Sequence, residues 1–285
     1  MAKDRHLPTN KLSISLVNLN SQTCCSYASY NDQDLRYPAS VVKLFWLTMF
    51  YELAYQQNAP PDQILPEFQK VLAKTIIKSD NETASILLDT ITDTQSVLNP
   101  LPQEQLQEWI KQRQSVNDFY QVSGYPPLNI SQKAFPISNE ITEPVGPDLQ
   151  IRQLNGKNSP PLRNALSTYS VARLLYDISQ NQAVSPEYSQ EIKKLLKRDL
   201  RPQAWKKEPF NPIAGFFGES LPVKTQFYAK MGWTFKNRND AAIITSANKK
   251  ANYILVVFGD DPKYYQDKQF FPLLSQNVYQ AMSQK

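Results

Sequence analysis

The sequence predicts an α/β chain of the α+β kind: one antiparallel sheet built from both termini and flanked by helices, with an all-helical region inserted between the first strands and the last. Three observations carry this. Residues 12–19 (Leu-Ser-Ile-Ser-Leu-Val-Asn-Leu) alternate apolar and polar side chains, the period of a half-buried strand. From Ser40 the apolar residues recur at three and four, the period of a helix. The last third returns to short β-like runs at 227–230, 241–246 and 254–258.

Taken in order, the strand at 12–19 turns at Asn20-Ser21 and has a partner near 24–30. The helix from Ser40 to about Gln57 carries Val42, Phe45, Trp46, Met49, Phe50 and Leu53, is apolar nearly all round, and is therefore expected to be central and buried. Pro38 suits its entry. The proline-rich stretch 58–66 ends it, and 68–78 is a second helical segment. A third starts after Ser79-Asp80. Residues 103–114 form a surface helix with Leu106, Trp109 and Ile110 inward. Residues 120–163 are proline-rich and aperiodic, a long irregular segment of the sort that is functional or mobile. Ser167 and Thr168 cap a helix that continues through 175–196, broken at Ser185-Pro186. Asn248-Lys249-Lys250 is the turn between the last two strands, and a helix at about 272–282 closes the chain.

With 285 residues, 41% of them hydrophobic, the chain can bury a substantial core as one large domain or two closely joined ones. Its net charge of +5, from 31 basic and 26 acidic residues, is well mixed. The basic clusters (Lys193, Lys194, Lys197, Arg198; Lys206, Lys207; Lys249, Lys250) are short and scattered, so they read as solvated faces and no nucleic-acid partner is expected. Cys24 and Cys25 are adjacent, a pairing that strains a disulfide; strand alternation would point one inward and one outward. The one histidine is His6 and no metal-ligand spacing exists, so neither metal nor cofactor is expected. No apolar run approaches the ~18 residues of a membrane span, and Met-Ala-Lys-Asp-Arg-His lacks the apolar core of a signal peptide. The compartment stays open: cytoplasmic, or periplasmic or extracellular if the chain is a domain of an exported precursor. A monomer is expected.

Three short strings carry chemistry: Ser40-Val-Val-Lys43, Ser79-Asp80-Asn81 and Lys230-Met231-Gly232. A helix starting near Ser40 puts Ser40 and Lys43 on one face. A serine hydroxyl becomes a nucleophile when a base takes its proton, and a lysine can be that base once desolvation lowers its pKa. Val41, Val42, Phe45 and Trp46 supply such surroundings. No string is diagnostic alone. Ser246-Ala-Asn-Lys249 repeats the first pattern in a turn, Ser79-Asp80-Asn81 is also a good helix cap, and Lys230 suits an edge strand.

Their order, however, resembles the class A β-lactamase and penicillin-binding protein superfamily of serine hydrolases. Ser79-Asp-Asn-Glu-Thr-Ala-Ser-Ile-Leu-Leu is similar to that family's helix after its Ser-Asp-Asn. Ser167-Thr-Tyr-Ser-Val-Ala-Arg-Leu-Leu is similar to the helix after its omega loop. Asn239-Asp-Ala-Ala-Ile-Ile and Tyr253-Ile-Leu-Val-Val-Phe are similar to its last two strands, so the likeness covers nearly the whole chain. It implies a sheet of about five strands, with 1–38 and 166–285 as the sheet subdomain, 39–165 as the helical one, and the active-site cleft between them. It also implies roles. Ser40 is the acylated nucleophile and Lys43 its proton acceptor. Ser79 passes a proton to the leaving nitrogen. Lys230 places positive charge beside Ser79 and a substrate carboxylate. Asn81 holds Lys43 and the substrate's amide, and the N–H groups of Ser40 and Trp233, beside Gly232, form the oxyanion hole.

The chain departs from that pattern in three places. Pro126-Pro127-Leu128-Asn129 resembles the end of the omega-loop motif, and this places Tyr125 where the glutamate that activates water for deacylation belongs. A tyrosine of ordinary pKa, about 10, is a poor base at neutral pH. Glu140 and Glu143 follow in the same segment as substitutes that the spacing does not support. Met231 replaces the usual hydroxyl between Lys and Gly, which weakens carboxylate recognition; Arg238 on the next strand is the candidate compensation. Ser40 and Ser79 also stand closer together than the resemblance implies, which leaves a more open cleft for Trp233 to refill. The expected function is a serine hydrolase acylated at Ser40 by a β-lactam or related amide or ester, with slow deacylation and with a small β-lactam or a peptidoglycan-like peptide as partner. The alternatives are a D,D-peptidase or esterase type, a glutaminase-type serine–lysine amidase, and a non-catalytic binding relative.

Overall fold

The computed structural model describes residues 1–20, 26–156, 158–208 and 211–284; Cys24 and Cys25 lie outside the described residues. The chain forms two compact units, Val42–Leu166 and the combination of Met1–Val41 with Ser167–Lys285.

The helical unit is arranged around α1 (Lys43–Gln56), in which Lys43, Leu44, Phe45, Trp46 and Leu47 are all fully buried. Five consecutive buried residues span more than one turn, so α1 has no solvent face there, as its all-round apolar pattern predicts. Trp46 donates its indole N–H to the Ile130 carbonyl at 2.8 Å, and the Tyr120 hydroxyl donates to the Phe45 carbonyl at 2.6 Å. Next come α2 (Pro66–Ala73) and a single π turn, Lys74–Lys78. That turn ends on Ser79, which is left-handed with φ 56°. Asp80 then caps α3 (Asn81–Thr92), its carboxylate accepting from the Thr83 N–H at 2.8 Å.

The fourth helix, α4 (Gln103–Val122), runs well past the expected end at 114. Its inward stripe continues as Arg113, Val116 and Tyr120. A buried arginine in the stripe interrupts the apolar count by which the sequence is read. The irregular segment that follows contains one short helix, α5 (Gly146–Arg152), too brief to show a period.

The other unit holds one five-stranded sheet: β1 (Leu12–Asn18), β2 (Ser26–Tyr30), β3 (Gln226–Thr234), β4 (Asn237–Thr245) and β5 (Asn252–Gly259), in the order β2-β1-β5-β4-β3 and antiparallel throughout. The N-terminal strand β1 lies between β2 and β5, so both ends of the chain share one sheet, as expected. The helices α6 (Thr168–Ser179) and α7 (Pro186–Leu196) are capped by Ser167 and Ser185 and separate where the Ser-Pro pair predicts. Next come α8 (Pro202–Trp205), α9 (Pro262–Gln266) and α10 (Phe270–Ser283). The core of this unit includes Phe217, Phe227, Ile244, Tyr253, Leu255, Val257, Phe270 and Phe271. Among the described residues no helix is long and apolar enough to cross a membrane.

Candidate active site

In the helical unit the site is built on Lys43. Its ammonium nitrogen lies 2.6 Å from the Ser79 carbonyl, 2.6 Å from the Asn81 side-chain oxygen and 3.2 Å from the Asp80 carbonyl. These acceptors are neutral, and Lys43 is fully buried at the start of an apolar helix. Burial therefore dominates and lowers its pKa to about 7, against a weaker upward pull from the Asp80 carboxylate. A lysine in that range exists partly as the free amine at neutral pH. The acceptors come from a turn that needs Ser79 left-handed, a conformation that costs a non-glycine residue about 1–3 kcal/mol and collects at functional sites. Asn81 bridges outward as well, donating its side-chain N–H to the Pro136 carbonyl at 2.9 Å.

In the sheet unit Ser40 sits half-buried on a 3₁₀ turn, Ala39–Val42, that leads directly into α1 at Lys43. Ala39, just before it, is also left-handed, with φ 47°. The helix thus begins three residues later than the periodicity suggests, because the chain enters through this tight turn. Two asparagines of β4 hold it: Asn237 and Asn239 each donate a side-chain N–H to the Tyr37 carbonyl at 2.9 Å. From β3, Gly232 approaches so closely that a β-carbon on it would lie 2.6 Å from the Pro38 carbonyl oxygen and 2.7 Å from the Ser40 nitrogen. Only glycine allows this contact.

The register of β3 settles where its polar groups point. Thr234 and Asn237 close a two-residue hairpin, so they are a hydrogen-bonded pair and Trp233 with Arg238 is the next, non-bonded pair. Residues of odd number in β3 consequently turn their N–H and C=O off the open edge. The Phe227 and Ala229 carbonyls do this, accepting from the Arg198 backbone and side chain at 2.8 and 3.2 Å. The Trp233 N–H projects from the same edge. Lys230 is 1% exposed and donates to the edge carbonyl of Met231 at 3.0 Å. Met231 faces the other side of the strand and is buried opposite Asp240.

Asp240 is the residue that sequence reading missed. It lies fully buried in β4, accepts from the Phe217 and Ala241 N–H groups at 3.0 Å each, and is pushed up to about 7 by burial, opposed by those bonds and by Lys230 and Arg198. Asn237, Asn239 and Asp240 stand together in a run of polar residues that composition alone does not mark as strand; the family resemblance placed Asn239 and Asp240 on one but gave Asp240 no role. Their placement in a buried strand was the available signal, since a buried polar side chain is there for a partner.

Arg238 occupies the same face as Trp233. It is 2% exposed and donates to the Gly215 carbonyl at 2.6 Å and the Tyr265 carbonyl at 3.1 Å, while its Nε is buried with no hydrogen-bond partner among the described residues. Gly215 has φ +73°, and a β-carbon there would collide with the guanidinium. Trp233 stacks on Tyr265 with ring centroids 5.7 Å apart, and the Phe216 ring lies 4.7 Å from the guanidinium. Together with Glu219 and Lys268 these residues line a pocket of about 400 Å³.

Tyr125 is 9% exposed and packs edge-on against Tyr120 and Phe45, with centroids 5.1 and 6.1 Å away, in the aromatic core beneath α1. Glu140 and Glu143 are exposed. Among the described residues no group of three or more His, Cys, Asp or Glu could hold a metal ion.

Comparison with known proteins adds a family and a fold. A model described as the beta-lactamase enzyme family matches residues 6–282. No curated protein matches the chain. Among solved structures, a class A beta-lactamase from Bacteroides cellulosilyticus is similar with a TM-score of 0.63 at 16% identity, over 96% of this chain and 92% of that one. A beta-lactamase from Sphaerobacter thermophilus gives the same values. A point mutant of PBP-A, solved as an acyl-enzyme complex with penicillin G, is similar with a TM-score of 0.64 at 16% identity, over 96% and 90%. The fold is that of the class A beta-lactamases.

Proposed function

Because the chain belongs to the beta-lactamase enzyme family, we propose that it is a serine hydrolase that is acylated at Ser40 by a β-lactam or a related amide or ester, and that it frees the acyl group slowly. The observation that carries this is Lys43: a lysine buried among neutral acceptors, with its pKa lowered to about 7, is a competent base for a hydroxyl three residues before it.

In the proposed reaction Lys43 takes the Ser40 proton as the hydroxyl oxygen bonds to the carbonyl carbon. The oxyanion is met by the Ser40 and Trp233 N–H groups, a role supported by the Gly232 contact and the outward Trp233 amide. The C–N or C–O bond then breaks, and the proton reaches the leaving atom through Ser79. Lys230 and Arg238 attract the substrate's carboxylate, and Asn81 holds its amide. The pocket beside Arg238, with cationic and aromatic walls, supports that assignment. The partner is a small β-lactam or a peptidoglycan-like peptide, and the protein acts as a monomer.

Slow release rests on Tyr125, packed in the aromatic core at the position where the family resemblance implies a water-activating glutamate. The same observation favours, as a second reading, a D,D-peptidase or esterase type whose natural substrate is a peptide or ester. A PBP-A mutant of this fold is itself an acyl-enzyme complex with penicillin G.

Mass spectrometry of the intact protein with benzylpenicillin tests the proposal. The expected result is a stoichiometric adduct on Ser40 that persists for minutes and is absent in Ser40→Ala. Rapid hydrolysis without a lasting adduct would overturn slow release. No adduct and no hydrolysis would favour a non-catalytic binding relative.

A further inference from the structure

Within the helical unit four charges, three buried and Asp89 partly so, form a closed group. Arg113 of α4 donates to Asp89 of α3 and, at 3.1 Å, to Asp148 of α5. Lys133 donates to Asp89 at 2.7 Å and to the Ser96 hydroxyl at 2.5 Å, and lies 3.4 Å from Asp148. Thr94 accepts from Arg113 at 2.8 Å. Both cations are essentially unexposed. Two cations face two carboxylates, so the group is neutral as a whole, the condition under which buried charge is tolerated. Such groups are weak sources of stability. In some proteins their use is to specify one arrangement among several.

What this group specifies is the path of the segment between Asn129 and Pro136. Arg152 donates to the Lys133 carbonyl at 3.0 Å and covers the Phe135 ring at 5.1 Å. Asn164 exchanges two hydrogen bonds with the Gln132 backbone, at 2.9 and 2.7 Å. Three residues after Lys133 stands the Pro136 carbonyl that accepts from Asn81. The segment is therefore tied to α3 twice: by Lys133 at Asp89, and by Pro136 at Asn81 two turns earlier. A side-chain amide has a donor end and an acceptor end that exchange on a half-turn. With Pro136 accepting on one side and Lys43 donating on the other, one orientation is selected.

We propose that Lys133 is a positioning residue: by anchoring this segment to Asp89 it holds the Pro136 carbonyl against Asn81, and thereby keeps the Asn81 oxygen turned to Lys43. The kinetic arm of its test rests on the proposed acylation of Ser40; the spectroscopic arm does not.

Lys133→Met alone leaves two carboxylates facing one arginine and is expected to fold poorly. The double variant Lys133→Met/Asp148→Asn restores neutrality and is the informative one. With asparagine-selective ¹⁵N labelling, the hydrogen-bonded side-chain proton of Asn81 is expected downfield in the parent protein and displaced toward solvent-exposed values in the folded double variant. Acylation by benzylpenicillin is expected to fall at least tenfold there. An unmoved Asn81 signal in a folded double variant would overturn the proposal, as would a displaced signal with an unchanged acylation rate. If the parent protein is not acylated at all, the serine-hydrolase reading fails while the Asn81 signal still decides this one.

Discussion

Lys43 shows how one residue's surroundings set its chemistry. Water would keep its ammonium protonated to about 10.4. Inside α1, burial removes that hydration, and three neutral acceptors replace only part of it. A partly free amine at neutral pH follows, so acylation should track its deprotonation. The rate of adduct formation is expected to climb about tenfold per pH unit below 7 and to level off above it. Stopped-flow acylation between pH 5 and 9 measures this; a flat profile would remove Lys43 from the role of base. The Ser-x-x-Lys spacing was legible because it is local: both residues fall within one turn wherever the helix goes. The depth of burial was legible as well, from an apolar pattern on every side of the helix. Asn81 as its partner came from the family resemblance and from no local pattern, and the Ser79 and Asp80 carbonyls had no signal at all, since all three reach Lys43 only through the packing of α3 on α1.

At the scale of elements, the decisive feature is how β3 and β4 hold the turn that carries Ser40. The two asparagine side chains on the Tyr37 carbonyl and the missing side chain of Gly232 act together: one grips the turn, the other lets the strand reach it. Gly232→Ala would force the backbone near Ser40 to shift. Acylation should fall by about a hundredfold, the scale of a misplacement near 1 Å at a reacting group. Overpacking should lower stability by about 1–3 kcal/mol. Acylation kinetics together with thermal unfolding separate the two effects, and a variant that acylates normally would show that Gly232 does not gate the Ser40 turn. Residue type alone marked β3 and only the later part of β4, because Asn237-Arg238-Asn239-Asp240 are polar residues whose partners lie elsewhere in the chain; it was the family resemblance that put Arg238, Asn239 and Asp240 on a strand. The long reach of α4 was hidden for the same reason, by Arg113.

For the whole molecule, burying ionisable groups ties stability to pH. Lys43 has a folded pKa of about 7 against an ordinary value of 10.5. Between those values the unfolded chain holds the extra proton, so this group makes the fold more stable as pH rises across that window and contributes no slope below it. Asp240 acts oppositely, with a folded value of about 7 above an ordinary 3.8, and takes stability away as pH rises from about 4 to 7. Lys43→Met should thus raise the melting temperature relative to the parent most at pH 6, and the difference should shrink by pH 10. Calorimetric melting at the two pH values checks it, and a difference independent of pH would mean that Lys43 is not depressed. The sequence by itself determined the fold class, the sheet shared by both termini and the order of the three motifs, because strand and helix periods and short spacings are local properties of a chain. Only the tertiary structure decided that Tyr125 lies in an aromatic core, that Asn237 and Asn239 grip the serine's turn, and that a four-charge group ties down the segment meeting Asn81. The contacts that decide these points, Phe45 with Tyr125, Tyr37 with Asn239 and Asp89 with Lys133, join residues far apart along the chain, and no pattern along it encodes which buried groups will close on one another.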